Sequence, residues 1–166
     1  MSRLLIMACS ATKSSQALPV PAVERYVGPV WQTLKAADPT GELAHVTVLS
    51  AEHGWIAGSA PICRYNRKMD NVRGRELIAR GVTPETLAML VEATSCGRRP
   101  FSEVCIVGGH YYQAVARELL QLTINHSGNA FFTTDVRVVE ICDQIGYMRQ
   151  QLRAWLEQGQ LQQVAA

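Results

Sequence analysis

Arg3-Leu4-Leu5-Ile6-Met7-Ala8-Cys9-Ser10-Ala11-Thr12-Lys13-Ser14 is the stretch on which the fold turns. Its first half is an unbroken apolar run, and its second half is a string of small polar residues with one lysine. An apolar run without alternation, ended abruptly by hydroxyl side chains, is the mark of a strand buried on both faces of a parallel sheet. A basic residue precedes the run, as in a secretory signal, but the run is too short for one and passes straight into the polar loop. A first strand with a polar exit loop is the reading that fits.

The pattern returns further along. His45-Val46-Thr47-Val48-Leu49 is rich in β-branched residues and stops at Ser50-Ala51-Glu52-His53-Gly54, and Glu103-Val104-Cys105-Ile106-Val107 stops at Gly108-Gly109. Helical patterns separate these runs. Val23, Val27, Val30, Trp31 and Leu34 share a helical spacing, interrupted by Gly28-Pro29, so this helix is expected to be broken or to begin late. Thr83-Pro84-Glu85 supplies an N-cap, a first-position proline and a first-turn carboxylate for a helix ending near Ser95-Cys96-Gly97. Another helix is expected from about Tyr111 to Leu122, and a closing amphipathic helix over Tyr147 to Leu156. Phe131 to Thr133 and Val136 to Ile141 are weaker strand candidates. Residues 57–75 lack periodicity and suggest a long excursion with a short helix around Asn66 to Val72.

Strands alternating with helices predict an α/β three-layer sandwich: a mainly parallel central sheet of about four to five strands, with helices on both faces. The chain of 166 residues suits one domain, read as residues 1–158 with a Gln-rich tail, 159–166, expected to fray. Apolar residues at 48% and charged residues at 18% are ordinary globular usage. No apolar run approaches the roughly 20 residues that cross a bilayer, so no membrane is expected. The cysteines are five, Cys9, Cys63, Cys96, Cys105 and Cys142, an odd number without Cys-x-x-Cys spacing; a reducing, cytoplasmic compartment fits. His45, His53, His110 and His126 are scattered without ligand spacing, so neither a metal nor a cofactor is expected. A net charge of +2 argues nothing for nucleic acid by itself, and nothing in the sequence sets an oligomeric state.

Loops leaving the C-terminal ends of parallel strands share one edge of a sheet, and ligands bind there. Three such exits carry chemistry here. Cys9, Ser10 and Lys13 could hold a phosphate or carboxylate, although the spacing of a P-loop is absent. Ser50, Glu52, His53 and Gly54 put a hydroxyl, a carboxylate and an imidazole within one turn; Glu52 could activate water, and His53 could assist a leaving group. Gly108 and Gly109 let backbone approach a ligand, and Tyr111 and Tyr112 offer stacking faces. Beside these exits the excursion carries Arg64, Arg67, Lys68, Arg73, Arg75 and Arg80, a footing for phosphates.

The ordered set Cys9-Ser10-x-x-Lys13, Tyr26 with Trp31, Leu49-Ser50-Ala51-x-His53-Gly54, Gly108-Gly109-x-Tyr111-Tyr112 and Ile145-Gly146-Tyr147 resembles an uncharacterised bacterial and phage family, a domain of unknown function, over nearly the whole chain. The opening also looks like the Cys-Ser-x-x-Lys segment of the archaeosine synthase catalytic region, though Pro-Tyr does not follow Lys13 here. Both are similar in plan to the uracil-DNA-glycosylase-like α/β group. The resemblance implies work on a nucleobase or its N-glycosidic bond, at Cys9, Ser10, Lys13, Ser50, His53, Gly54, Gly109 and Tyr111. It assigns no role to Glu52, a position often held by lysine in that family.

The expected function is therefore a nucleobase- or nucleotide-processing enzyme, a glycosidase or base-exchange enzyme, with Glu52 and His53 as its catalytic pair. Its expected partner is a nucleotide or modified-base small molecule, with DNA as a second candidate. The alternative is a non-catalytic nucleotide- or nucleic-acid-binding module using the same pocket.

Overall fold

The computed structural model describes residues 2–95 and 99–164. In chain order, β1 (Arg3–Ala8) leads to a short strand β2 (Val20–Pro21), helix α1 (Ala22–Arg25) and α2 (Pro29–Ala37). Then come β3 (His45–Ser50), β4 (Gly54–Ala57), β5 (Pro61–Ile62), α3 (Asn71–Arg80) and α4 (Pro84–Thr94). β6 (Phe101–Val107), α5 (His110–Ser127), β7 (Phe132–Ile141) and α6 (Ile145–Val164) follow.

The main sheet has five strands in the order β4-β3-β1-β6-β7. β1 lies parallel to both neighbours, Leu4 facing His45 on one side and Val104 on the other, and β6 lies parallel to β7. Within that sheet, among the described residues, only the β3–β4 pair is antiparallel, and β2 and β5 pair antiparallel in a small sheet of their own. The fold is thus α/β with a mostly parallel sheet and helices on both faces, as the alternation of patterns predicts.

The unbroken apolar run of β1 follows from its place at the centre of the sheet. Leu4 and Ile6 belong to the core built with Trp55, Leu77, Leu90 and Leu119, under α3, α4 and α5. Leu5 and Met7 belong to the opposite core, with Tyr26, Trp31, Leu34 and Leu152, under α1, α2 and α6. All four are at most 1% exposed, so the strand has no face to spare for polar side chains. The crossover from β1 to β3 runs one way along the sheet and the crossover from β3 to β6 runs back past β1. Two crossovers of the same hand in opposite directions put their helices on opposite faces.

Charges tie the far ends of these strands. Arg3 Nε donates to Glu103 Oε2 at 2.8 Å, Arg3 Nη2 donates to the Trp155 carbonyl at 2.6 Å, and Arg137 reaches the other Glu103 oxygen. Burial alone would raise the Glu103 carboxyl, but the bonds and charge of Arg3, with the bond from Arg137, hold it below the ordinary carboxylate value.

Several elements differ from expectation. Gly28-Pro29 is a boundary: α1 ends at Arg25, and α2 starts with Gly28 as N-cap and Pro29 in its first turn. A side chain at Gly28 would run into Ser10, so α2 begins hard against the first loop. A strand unforeseen in the sequence, β4, follows the turn after β3, the excursion contains β5, and its helix lies over Asn71–Arg80, not Asn66–Val72, because Asp70 caps it by accepting from the Arg73 amide at 2.8 Å. The weak strand candidates near the end are one strand, β7, with a register shift against β6 after Phe132. The closing helix is longer than expected, and the segment from Gly159 stays helical to Val164. α4 ends at Thr94, while Cys96 and Gly97, and residues 165 and 166 of the tail, lie outside the described residues. Among the described residues no helix is long and apolar enough to cross a membrane.

Arg25 holds the first loop in place. Its guanidinium is fully buried and donates to four carbonyls, those of Ser14 (3.1 Å), Gln16 (2.8 Å), Leu18 (2.7 Å) and Ile62 (3.1 Å). The loop that carries Lys13 is bridged to Tyr26 beside it. Replacement by methionine keeps the bulk but leaves these carbonyls without donors, a cost of about 3 kcal/mol. Arg25→Met is expected to lower the unfolding free energy by that amount in a urea titration; an unchanged midpoint would contradict the structural role given to Arg25.

Candidate functional site

The direction of the chain reverses at β1: its exit loop leads toward β3, while the exit of β6 leads into α5 and on to β7. Between the C-terminal ends of β1 and β6 lies a cleft of about 510 Å³, formed by residues 7–12, 28–31 and 107–112, with Asp143, Ile145 and Met148 on one wall. That size suits a small organic ligand. Its floor depends on Gly108, where a β-carbon would come within 2.6 Å of the Ala8 β-carbon.

Two helices start in the cleft without a side-chain cap: α2 from Gly28 and α5 from Gly109. α3 and α4, which start elsewhere, are capped by Asp70 and Thr83. Uncapped first-turn amides and the positive ends of two helix dipoles favour an anion. Tyr111 at the rim is half exposed, and Ile145 on the cleft wall is similarly bare.

Two groups of side-chain hydrogen bonds lie behind the cleft, one at Cys9 and one around Tyr65. Cys9 Sγ and Tyr112 Oη are 3.0 Å apart. Tyr65, close enough to Cys9 for that thiol to help raise its phenol, has its hydroxyl 2.8 Å from Ser50 Oγ and 2.7 Å from Tyr26 Oη. Ser50 Oγ accepts the amides of Glu52 and His53, each at 3.1 Å, so its own proton is free to go to Tyr65. The Lys13 ammonium donates to the Ser10 carbonyl at 3.0 Å and lies 4.3 Å from the centre of the Tyr65 ring. Desolvation lowers the Lys13 pKa, with Cys9 pulling it up and Arg64 pushing it further down.

Cys9, Ser10, Gly108, Gly109, Tyr111 and Tyr112 therefore meet in one cleft. Lys13 and Ser50 stand behind it, beside Tyr65. Glu52, His53 and Gly54 do not line the cleft. They form the β3–β4 turn behind Tyr65, where Gly54 has φ +80°, a conformation that favours glycine. The His53 ring stands edge-on to Tyr65 at 5.2 Å and borders a water-sized void of about 10 Å³; burial lowers its pKa against the opposing effect of Glu52. Glu52 faces Arg67 at 3.6 Å instead, and this placement speaks against its activating water for a ligand in the cleft.

The basic residues divide as well. Arg73 donates to the carbonyls of Ala51 (2.5 Å) and Glu52 (2.8 Å) and to Glu76 (2.8 Å), so it clamps the β3–β4 turn and has little left for a phosphate. Arg67 is shared between Glu52 and Glu76. Arg64 and Lys68 are exposed, and neither has an ion-pair partner among the described residues.

Two residues of the site have no signal in the sequence or only a faint one. Tyr65, to which both Ser50 and Tyr26 bond, lies in the stretch without periodicity. Asp143, the cleft's only lining carboxylate among the described residues, stands just past the end of β7, a strand whose pattern is weak. Compared with protein-family models, with curated proteins and with solved structures, the chain finds no match.

Burial raises the phenols of Tyr26, Tyr65 and Tyr112, Tyr26 to about 12 from an ordinary 10.0. A pKa higher in the folded than in the unfolded chain means the folded protein keeps a proton that the unfolded chain loses. The associated stability is complete below about pH 10 and falls as pH rises toward 12. Unfolding free energy is expected to decline over that interval, and to decline less in Tyr26→Phe; equal slopes in the two proteins would contradict the assignment.

Proposed function

We propose that the cleft binds a nucleotide or a modified nucleobase and that the protein acts at its N-glycosidic bond, by hydrolysis or base exchange. The observation that carries this reading is the meeting, in one cleft, of uncapped helix amides with a bare aromatic face. The amides of α5, with Ser10 and Lys13, suit a phosphate or sugar, and Tyr111 and Tyr112 suit the flat face of a base. Asp143, in place of Glu52, takes the water-activating role, and His110, the first residue of α5 and part of the cleft wall, takes the leaving-group role in place of His53. The motif resemblance to the uncharacterised bacterial and phage family and to the archaeosine synthase region, both similar in plan to the uracil-DNA-glycosylase-like group, points in the same direction.

The outward placement of Glu52 and His53 favours a second reading, a module that binds a nucleotide without turning it over. Base release from a panel of nucleosides, nucleotides and single-stranded DNA, followed by chromatography, separates the two. Under the first reading at least one member loses its base. Asp143→Asn is then expected to slow release by about 100-fold or more, the usual scale for a general base. Glu52→Gln should stay within about threefold of wild type, since it is outside the cleft. Release unaffected by Asp143→Asn would refute the assignment of roles, and binding without release from any member would favour the module.

A further inference from the structure

Cys9 is the one thiol among the described residues that lines the cleft, and it stands at the exit of the central strand β1. Its amide donates to the Leu49 carbonyl at 3.0 Å, which carries the pairing of β1 with β3 one residue past the end of β1 and fixes the backbone under the sulfur. The side chain packs against both cores and still keeps partial exposure. Its surroundings are polar and cationic. Tyr112 Oη, on the opposite wall of the cleft, lies 3.0 Å from the sulfur. The Lys13 ammonium donates to the carbonyl of the next residue, Ser10, and Cys9 raises the Lys13 pKa against the desolvation that lowers it. Lys13 has no carboxylate within ion-pair distance among the described residues, so its charge is not spent elsewhere and remains available to a charged sulfur. Cys105, by contrast, is fully buried in β6, and burial pushes its thiol up.

We infer that Cys9 is the nucleophile of the cleft: its sulfur attacks an electrophilic carbon of the bound ligand, with Lys13 and the Tyr112 hydroxyl steadying the charge that the sulfur carries once its proton has left. The thiolate is the attacking form of a cysteine, and a cationic neighbour with partial exposure is the setting in which it forms. A cleft of about 510 Å³ around the sulfur supplies the room for the ligand that it attacks. Where the N-glycosidic reading holds, on which this step rests, the carbon is the anomeric one. The thiol first gives its proton to water. The sulfur then bonds to the anomeric carbon as the carbon–nitrogen bond breaks, and the base leaves with the bonding pair and takes a proton from His110. In the second half a water molecule gives a proton to Asp143 and bonds to the same carbon, while the carbon–sulfur bond breaks and the sulfur keeps the pair. Solvent returns the proton to His110 and removes the one on Asp143. An incoming base in place of that water gives exchange, so one covalent intermediate serves both outcomes.

Iodoacetamide reads the sulfur without any substrate: the sulfur displaces iodide, and peptide mapping gives the rate at each cysteine of the native protein near neutral pH. Cys63 is the reference. Because Cys63 is exposed and Cys9 only partly so, access alone would put Cys63 ahead. Cys9 is expected to react about tenfold faster than Cys63, and Lys13→Met to remove most of that advantage at an unchanged melting temperature. A Cys9 rate at or below that of Cys63, or a fast rate untouched by Lys13→Met, would overturn the inference. Should Lys13→Met fail to fold, Tyr112→Phe, which removes only the phenol hydroxyl, serves as the second variant under the same criterion. Base release is read separately with Cys9→Ala, which is expected to slow it by about 100-fold or more. Fast labelling of Cys9 with no base release from any substrate would defeat the N-glycosidic reading and leave the nucleophile standing. Release by Cys9→Ala at the wild-type rate would do the reverse.

Discussion

Everything in the site depends on the reversal of chain direction at β1. β1 sits in the middle of the sheet, parallel to β3 on one side and β6 on the other, and the chain visits the two sides in succession. Loops leaving β1 and β6 must therefore part company, one toward α1 and α2 on one face and the other toward α5 on the opposite face. The gap between them is a consequence of topology, and no residue has to be spent to open it. What the residues do is line it: Gly108 lets the two strand ends close to van der Waals distance, and Gly28 and Gly109 start helices that carry no side-chain cap.

Rigidity behind the cleft comes from polar groups that satisfy one another. Ser50 gathers two amides of the β3–β4 turn and passes its proton to Tyr65, and Tyr65 in turn bonds to Tyr26. Arg25 fastens the loop between Lys13 and Leu18 through its carbonyls, and Arg73 fastens the turn at Ala51 and Glu52. Two arginines and two tyrosines thereby hold two loops that the sheet alone would leave free. Such networks are costly when broken, because a buried group that loses its partner keeps its desolvation penalty.

The sheet was legible because its central strands have no polar face: β1, β3 and β6 announce themselves as apolar runs, and each stops at a loop of polar or glycine residues. β4 was not, since four residues after a tight turn are too few to show a period, and β7 was split because its register slips against β6 and its outer edge is bare. Of the site, the two exits that flank the reversal were legible from Cys9-Ser10 and Gly108-Gly109. The exit after β3 carried attractive chemistry in Glu52 and His53, but β3 turns back into the antiparallel β4, which draws that turn behind Tyr65 and away from the cleft. Sequence spacing says that a turn follows a strand; it does not say to which side the turn folds. Tyr65 and Asp143 reach the site through long-range juxtapositions, and no local pattern encodes them.

Hydrogen–deuterium exchange with and without a panel of nucleoside 5′-monophosphates tests the central claim most directly, because it reports where a ligand sits without requiring turnover. The account predicts that at least one of them slows exchange in residues 8–12, 28–31, 108–112 and 143–148 together, the segments that border the cleft. Protection confined to the β3–β4 turn and α3, or no protection anywhere by any of the ligands, would contradict it.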